Sequence, residues 1–313
     1  MRQDEAMSLI AEVADRVYEI KPEGKGLDCF PLCTVYLVVD DRTALIEAGC
    51  PVQASEILEA MEELGYDAKG LSYIIPTHVH GDHAGGAGLL AEWLPQAQVV
   101  AHPKAAKFLA DPTMIARLMQ GFKLIFGDDA EDRFGRMPPI PLERFVLVDD
   151  GESIPLGGRE LKVIDTSGHA PYHLSFLDTK TQGLFCGDAF GGYFSEIEVI
   201  FPSSTPGSDP ILTLKSMEKL QGLNPEFVFF SHGSSTGEGA KILELGVDQA
   251  HRCKDITLSA LKAGEDLNEI GGRLIEVLAN GSALARSELL EWPYFILVTV
   301  EGYRQYFKKN NMI

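Results

Sequence analysis

Short runs of β-branched and aromatic residues alternate along this chain with stretches whose apolar positions recur every three or four residues. Val17-Tyr18-Glu19-Ile20, Thr34 to Val39 and Thr43 to Glu47 read as strands, and Asp40-Asp41-Arg42 joins the last two as a hairpin. A helix is predicted over 52–64, with Ile57, Leu58, Met61 and Leu64 on one face and Gly65 ending it. The strand Tyr73-Ile74-Ile75 follows, then a helix from Gly85 to Trp93 and a strand from Gln98 to Ala101. Past residue 140 the grammar repeats: strands at 144–148, 160–165, 173–178 and 183–187, a helix at 210–221, and a strand from Phe227 to Phe230. Two groups of strands with interspersed helices predict a layered α/β sandwich, sheets inside and helices outside.

Two segments fall outside this alternation. Residues 104–140 begin with Leu109, Ile115, Leu118, Met119, Phe122 and Ile125 at helical spacing, which predicts a helical insertion. Residues 237–313 read mostly as helices. No Gly/Ser linker precedes either, so the expected organisation is a main domain over 1–235 carrying the insertion, with a helical C-terminal extension over 236–313.

Composition narrows the function classes. Of 313 residues 45% are hydrophobic and 23% charged, an ordinary globular balance. No uninterrupted apolar run is long enough to span a bilayer. The N-terminus carries acids and does not read as a signal peptide, so a cytoplasmic protein is expected. Five cysteines at irregular spacing fit reduced thiols there. A net charge of −19 disfavours nucleic acid and anionic membrane as partners.

Chemistry concentrates in one place. His78, His80 and His83 fall within six residues, with Asp82 between them and Gly81 offering a turn, directly after a buried strand. A stiff platform of that kind is what metal ligands need, and a cluster this dense is rarely accidental. Ser167-Gly168-His169-Ala170-Pro171-Tyr172-His173, Cys186-Gly187-Asp188-Ala189 and Ser231-His232-Gly233 each place a ligand-type residue at a turn expected to follow a strand. Histidine and carboxylate donors suit zinc, and iron or manganese as well.

The ordered set THVHGDH, SGHAPYH, CGDA and SHG resembles the metallo-β-lactamase superfamily, over about Leu45 to Gly233. The resemblance implies a four-layer αββα sandwich with two metal ions at one edge. It implies that His78, His80 and His169 hold the first metal, Asp82, His83 and His232 the second, and that Asp188 bridges them. Asp82 would also accept a hydrogen bond from the nucleophile or hand its proton to the leaving group. The family usually has aspartate where this chain has Glu47; the implied role is to brace the histidine loop by hydrogen bonds. His173 matches a histidine that does not ligate. The activity implied is hydrolysis of an ester, thioester or lactone by a hydroxide shared between two metals, zinc being favoured. A β-lactamase is disfavoured by the lack of an export signal. The rival from another class is a di-iron oxidoreductase or dioxygenase, and a third is a non-catalytic metal-holding regulator.

The remaining candidates are weaker. His102 and His251 read as packing or surface residues, Cys29 and Cys33 as a single pair without a metal partner set, and Asp149-Asp150-Gly151-Glu152 as a solvated turn. Met119 and Phe122 of the insertion, with Phe190, Tyr193 and Phe194, are expected to bind the apolar portion of a small-molecule substrate. Tyr193 would donate to a carbonyl and Phe194 would wall an acyl pocket. A homo-oligomer is left open, as is a lid role for 104–140.

Overall fold

The computed structural model describes residues 10–24, 32–202 and 204–313, with the side chains of 122 and 124–126 outside that description. Cys29 and the Phe122 side chain therefore lie outside the described residues. The chain divides into two compact units, Met1–Val148 with Ser153–Leu161, and Asp149–Glu152 with Lys162–Ile313.

The first unit holds a seven-stranded sheet in chain order: β1 Ile10–Ala14, β2 Val17–Ile20, β3 Val35–Val39, β4 Thr43–Ile46, β5 Leu71–Ile75, β6 Gln98–Ala101 and β7 Phe145–Leu147. β1 to β4 form an antiparallel meander, and β4 to β7 run parallel. Parallel neighbours need crossovers. These are α1 Ala54–Glu63, then α2 Ala87–Trp93, then the inserted α3 Pro103–Ala110, α4 Pro112–Phe126 and α5 Ala130–Phe134. β3, Val-Tyr-Leu-Val-Val, is buried along its whole length. That explains why it reads as a continuous apolar run rather than an alternating one. Arg159, 1% exposed, pins the hairpin turn by giving Nε–H to Asp40 Oδ2 at 3.3 Å and an Nη2 hydrogen to Asp15 O at 2.7 Å.

The second sheet runs β12 Val199–Phe201, β11 Gly183–Phe194, β10 Leu174–Asp178, β9 Glu160–Asp165 and β8 Ser153–Pro155, with β13 Phe227–Gly233 beside β11. In the second unit α6 Pro210–Gln221 and α7 Gly239–Ala263 cover an apolar cluster that includes Phe190, Leu214, Met217, Leu220, Phe230 and Leu243. The C-terminal helices α8 Leu267–Ala279, α9 Ala283–Leu290 and α10 Pro293–Lys309 close a further cluster around Cys253, Leu274, Leu278, Val300 and Phe307. Among the described residues no helix is long and apolar enough to cross a membrane.

Two strands run beyond their expected ends. β11 was expected to stop at residue 187 but continues to Phe194, and Asp188 sits inside it rather than at a turn after it. Along β13 the register steps from Gly187↔Phe230 to Gly192↔His232, so β11 carries surplus residues that bulge out of the ladder. Gly187 at φ 54° and Gly191 at φ 73° let the chain leave and rejoin. β13 likewise reaches Gly233, so His232 is a strand residue paired with Gly192. β1, β8 and β12 are three to five residues long and carry too little alternation to be read from sequence.

Close packing of α7 on β11 has a testable consequence. A Cβ at Gly246 would stand 2.7 Å from Phe190 Cδ1 and 3.1 Å from Ile200 Cδ1, both in the closed core. Gly246→Ala would gain about 1 kcal/mol of helix propensity and lose about 1–3 kcal/mol to overpacking, so overpacking wins. A melting temperature lowered by roughly a few degrees is expected in a thermal scan; an unchanged or raised value would mean that α7 shifts freely on the sheet.

Candidate metal centre

In the first unit the site residues stand at the carboxyl ends of two neighbouring parallel strands. β4 and β5 pair in parallel, and the Glu47 N–H, just past β4, donates to Ile75 O at 3.0 Å. Glu47 takes a left-handed backbone conformation, φ 67°, which turns its side chain under the histidine loop. Its carboxylate is fully buried and accepts three hydrogen bonds. Thr77 N–H donates to Oε2 at 3.1 Å, Thr77 O–H to Oε1 at 2.7 Å, and His83 Nδ1–H to Oε1 at 3.0 Å.

These bonds decide the imidazole tautomers. With its hydrogen committed to Glu47, the Thr77 hydroxyl oxygen accepts from His78 Nδ1–H at 3.0 Å. His78 and His83 therefore both carry the proton on Nδ1, which leaves Nε2 as the lone-pair nitrogen suited to a metal. His78 Nε2 faces His80 Nδ1 at 2.9 Å, and His83 Nε2 lies 3.5 Å from Asp82 Oδ2. The rings of His78 and His83 are 4.1 Å apart. The loop is laid tightly on residues 48–50: Ala48 N–H donates to His83 O at 2.8 Å and Gly86 N–H to Gly49 O at 2.8 Å. The structure thus brings His78, His80, Asp82 and His83 together, with Glu47 beneath them.

Cys33, Glu47 and His83 also cluster closely enough to enclose an ion. Their chemistry favours hydrogen bonding instead. Glu47 serves three donors, and burial holds the Cys33 thiol pKa well above its ordinary value, with the thiol donating to Thr34 O at 3.4 Å. A buried neutral thiol is a small packing group. Cys50 is in the same condition, its thiol pushed up by burial.

In the second unit one loop and two strands supply one residue each. The His169 loop follows β9 and is bolted to α6, where the N-cap Asp209 N–H donates to Gly168 O at 2.8 Å and mid-helix Ser216 O–H to Ser167 O at 2.8 Å. Asp188 projects from the β11 bulge and His232 from β13. Asp188 divides its carboxylate between them: Oδ2 is 3.4 Å from His169 Nε2 and Oδ1 is 3.4 Å from His232 Nε2. His169, Asp188 and His232 are 3, 5 and 9% exposed.

His173 is held away from this group by its own bonds. Its Nε2 accepts from Asp188 N–H at 3.0 Å, so Nδ1 carries the proton and donates to Thr166 Oγ1 at 2.8 Å. The Thr166 hydroxyl passes on to Ser175 Oγ at 2.8 Å, and Ser175 donates to Cys186 O at 3.0 Å. The chain of donors ends on the strand that carries Asp188, so it fixes the bulge. Thr77, Thr166 and Ser175 were not singled out from sequence. The signal available was a hydroxyl residue one to three positions from a motif histidine.

The other candidates are placed as follows. Phe190 is 1% exposed, with its ring against Gly246 and Ile200, and is a packing residue there. Tyr193 is 8% exposed, its ring 5.5 Å from that of Phe230 and its phenol pKa raised by burial and nearby Glu198 and Glu238. Phe194 is part-exposed. Met119 lies buried on α4 in the first unit. His102 caps α3 by accepting from Lys104 N–H, and exposed His251 pairs with Glu218. Imidazole nitrogens and carboxylate oxygens with orienting partners in place are the donors that zinc, iron and manganese accept, so the residues present fit a divalent metal.

The comparisons with known proteins follow the same residues. Residues 30–232 match the metallo-β-lactamase superfamily. The metallo-β-lactamase fold-containing protein ST1585 of Sulfurisphaera tokodaii is 29% identical over 80% of this chain and 91% of its own length. The crystal structure of ST1585 superposes with a TM-score of 0.67 at 25% identity, covering 92% of this chain and 98% of that one. A hydroxyacylglutathione hydrolase from Synechococcus sp. (strain JA-3-3Ab) is 29% identical over 49% of this chain and 47% of its own length, so the chain spans about half of that enzyme. By a match that covers about two thirds of its residues, the chain belongs to the metallo-β-lactamase superfamily, which includes metal-dependent hydrolases.

Proposed function

We propose that the chain is a binuclear metal-dependent hydrolase of an ester, thioester or lactone. In this reading His78, His80 and His169 hold one divalent cation and Asp82, His83 and His232 a second, with Asp188 shared by both. The observation that carries it is the divided Asp188 carboxylate, each oxygen set against the Nε2 of a different histidine. A carboxylate set between two histidines through its two oxygens supports a place shared by two cations. Zinc is the proposed metal, because the histidine run is complete and no ligand in it is replaced by a carboxylate.

Two such ions, when bound, supply a nucleophile at neutral pH and polarise a carbonyl. The residues supply the rest. Glu47 and Thr77 hold the His78 and His83 rings with Nε2 presented, so no ring reorients during turnover. Asp82 takes the proton of the attacking water on a carboxylate oxygen and returns it to the departing oxygen or sulfur. The products are a carboxylic acid and an alcohol or thiol, or the opened hydroxy acid from a lactone. The substrate is taken to be a small molecule with an apolar portion, in a cytoplasmic setting.

Protein purified without added metal should carry about two divalent ions per chain by elemental analysis and should cleave members of a chromogenic ester, thioester and lactone panel. Bound iron with oxygen-dependent turnover and no hydrolysis would overturn the reading in favour of a redox enzyme. Asp188→Ala should lose both ions, whereas His232→Ala should lose mainly one; equal metal content in both variants and the wild type would reject the ligand assignment.

The bracing residue makes a separate test. Gln at position 47 keeps the shape but offers one acceptor oxygen where the carboxylate offers two, so a donor group would face a donor. Glu47→Gln should weaken metal retention about tenfold to hundredfold in a chelator competition, with activity restored by excess metal. Wild-type retention in this variant would show that Glu47 packs the loop without fixing the tautomers.

A further inference from the structure

The C-terminal helices bring one of the chain's two tryptophans, Trp292, against the strands of the second unit. It precedes α10 as its N-cap residue. Its ring lies 4.6 Å from that of Phe194 at an interplanar angle of 57°, and 6.2 Å from that of Phe201 at 65°. Phe194 ends β11 and Phe201 ends β12. All three rings are part-exposed, whereas Phe190, Phe229 and Phe230 of the same sheet are buried to 1, 1 and 0% exposure. Phe201 and Trp292 pack against the C-terminal apolar cluster from its border rather than from inside it.

Phe194, one member of the trio, stands next to a proposed ligand. Gly192 pairs with His232 across β11 and β13. A Cβ built on Gly192 would be 3.0 Å from His232 Cβ and 3.1 Å from Phe194 Cε2. The missing side chain is what lets the Phe194 ring lie beside the histidine. Because the three rings are part-exposed, they keep apolar surface on which a further aromatic or alkyl group packs.

We propose that Trp292, Phe194 and Phe201 form an aromatic subsite beside His232 that takes the aryl or long acyl group of the substrate. The C-terminal helices then set substrate preference through Trp292. The word substrate rests on the hydrolase reading above; the binding of an aromatic group does not.

Two measurements separate these. In a Trp93→Phe background Trp292 is the sole tryptophan, and residue 93 is 46% exposed and outside the site. Titration of the metal-loaded protein with 4-phenylbutyrate should change Trp292 emission saturably. Acetate should leave it unchanged, and Phe194→Ala should abolish the response. No response to 4-phenylbutyrate, or the same response to acetate, would overturn the subsite. With phenylacetyl and acetyl esters, Trp292→Ala should reduce the phenylacetyl preference roughly tenfold to hundredfold, chiefly through KM, and Trp292→Phe should retain most of it. An equal loss on both esters with a lower melting temperature would overturn the proposal and make Trp292 a packing residue. If no ester is cleaved by any form, the hydrolase reading fails while the fluorescence titration still decides the subsite.

Discussion

A carboxylate with no solvent exposure is the constraint on which the histidine loop depends. Removing Glu47 from water costs several kcal/mol unless its oxygens are satisfied. Three donors, the Thr77 amide, the Thr77 hydroxyl and the His83 imidazole, satisfy them. The same bonds settle which nitrogen of His83 carries its proton and, through the Thr77 hydroxyl, which nitrogen of His78 does. The energetic need of one buried charge thereby becomes the chemical orientation of two rings. The left-handed backbone at Glu47 costs on the order of 1 kcal/mol, small beside the cost of leaving that charge unpaired. The left-handed backbone is what sets the Glu47 carboxylate within reach of Thr77 and His83.

The second unit reaches the same end by neutral means. His173 is a relay rather than a donor to metal, because its Nε2 is committed to the Asp188 amide. Its proton then runs through Thr166 and Ser175 to the Cys186 carbonyl, back into the strand that carries Asp188. A closed polar network of this kind stabilises only when every member is satisfied, and here each hydroxyl both donates and accepts. What it holds is a bulge, a segment that would otherwise have no ladder to fix it.

The legible parts of this chain were those where chemistry and periodicity agreed. The hairpin around Asp40-Asp41-Arg42, the strand before Thr77 and the helix Pro210–Gln221 stand as read, since each has strong apolar spacing and turn residues at its ends. The β11 continuation was illegible because Gly187 and Gly191 interrupt the pattern, and glycine signals a turn before it signals a bulge. Phe190 looked like a pocket residue from its nearness to Asp188, but residues on a bulged strand do not alternate by simple parity, and the ring faces the core. Trp292 lies far along the chain from every motif. Nothing in local sequence ties it to Phe194; only the fold of the C-terminal helices does.

Gly86 and Gly233 acquire a common meaning from close approach. A Cβ at Gly86 would fall 2.2 Å from Ala48 O, and one at Gly233 would fall 1.9 Å from Tyr193 O. At both places backbone lies directly on backbone beside a proposed ligand, His83 in one case and His232 in the other. Backbone contacts have no rotamers to sample, so a loop clamped in this way holds its side chain within the roughly 0.5 Å that a functional constellation needs. Gly151 and Gly207, by contrast, have open space where a Cβ would be, and neither adjoins a ligand. Glycine at positions 86 and 233 therefore works through contact. The flexibility it would give to an unfolded loop is removed by the carbonyl against which it rests.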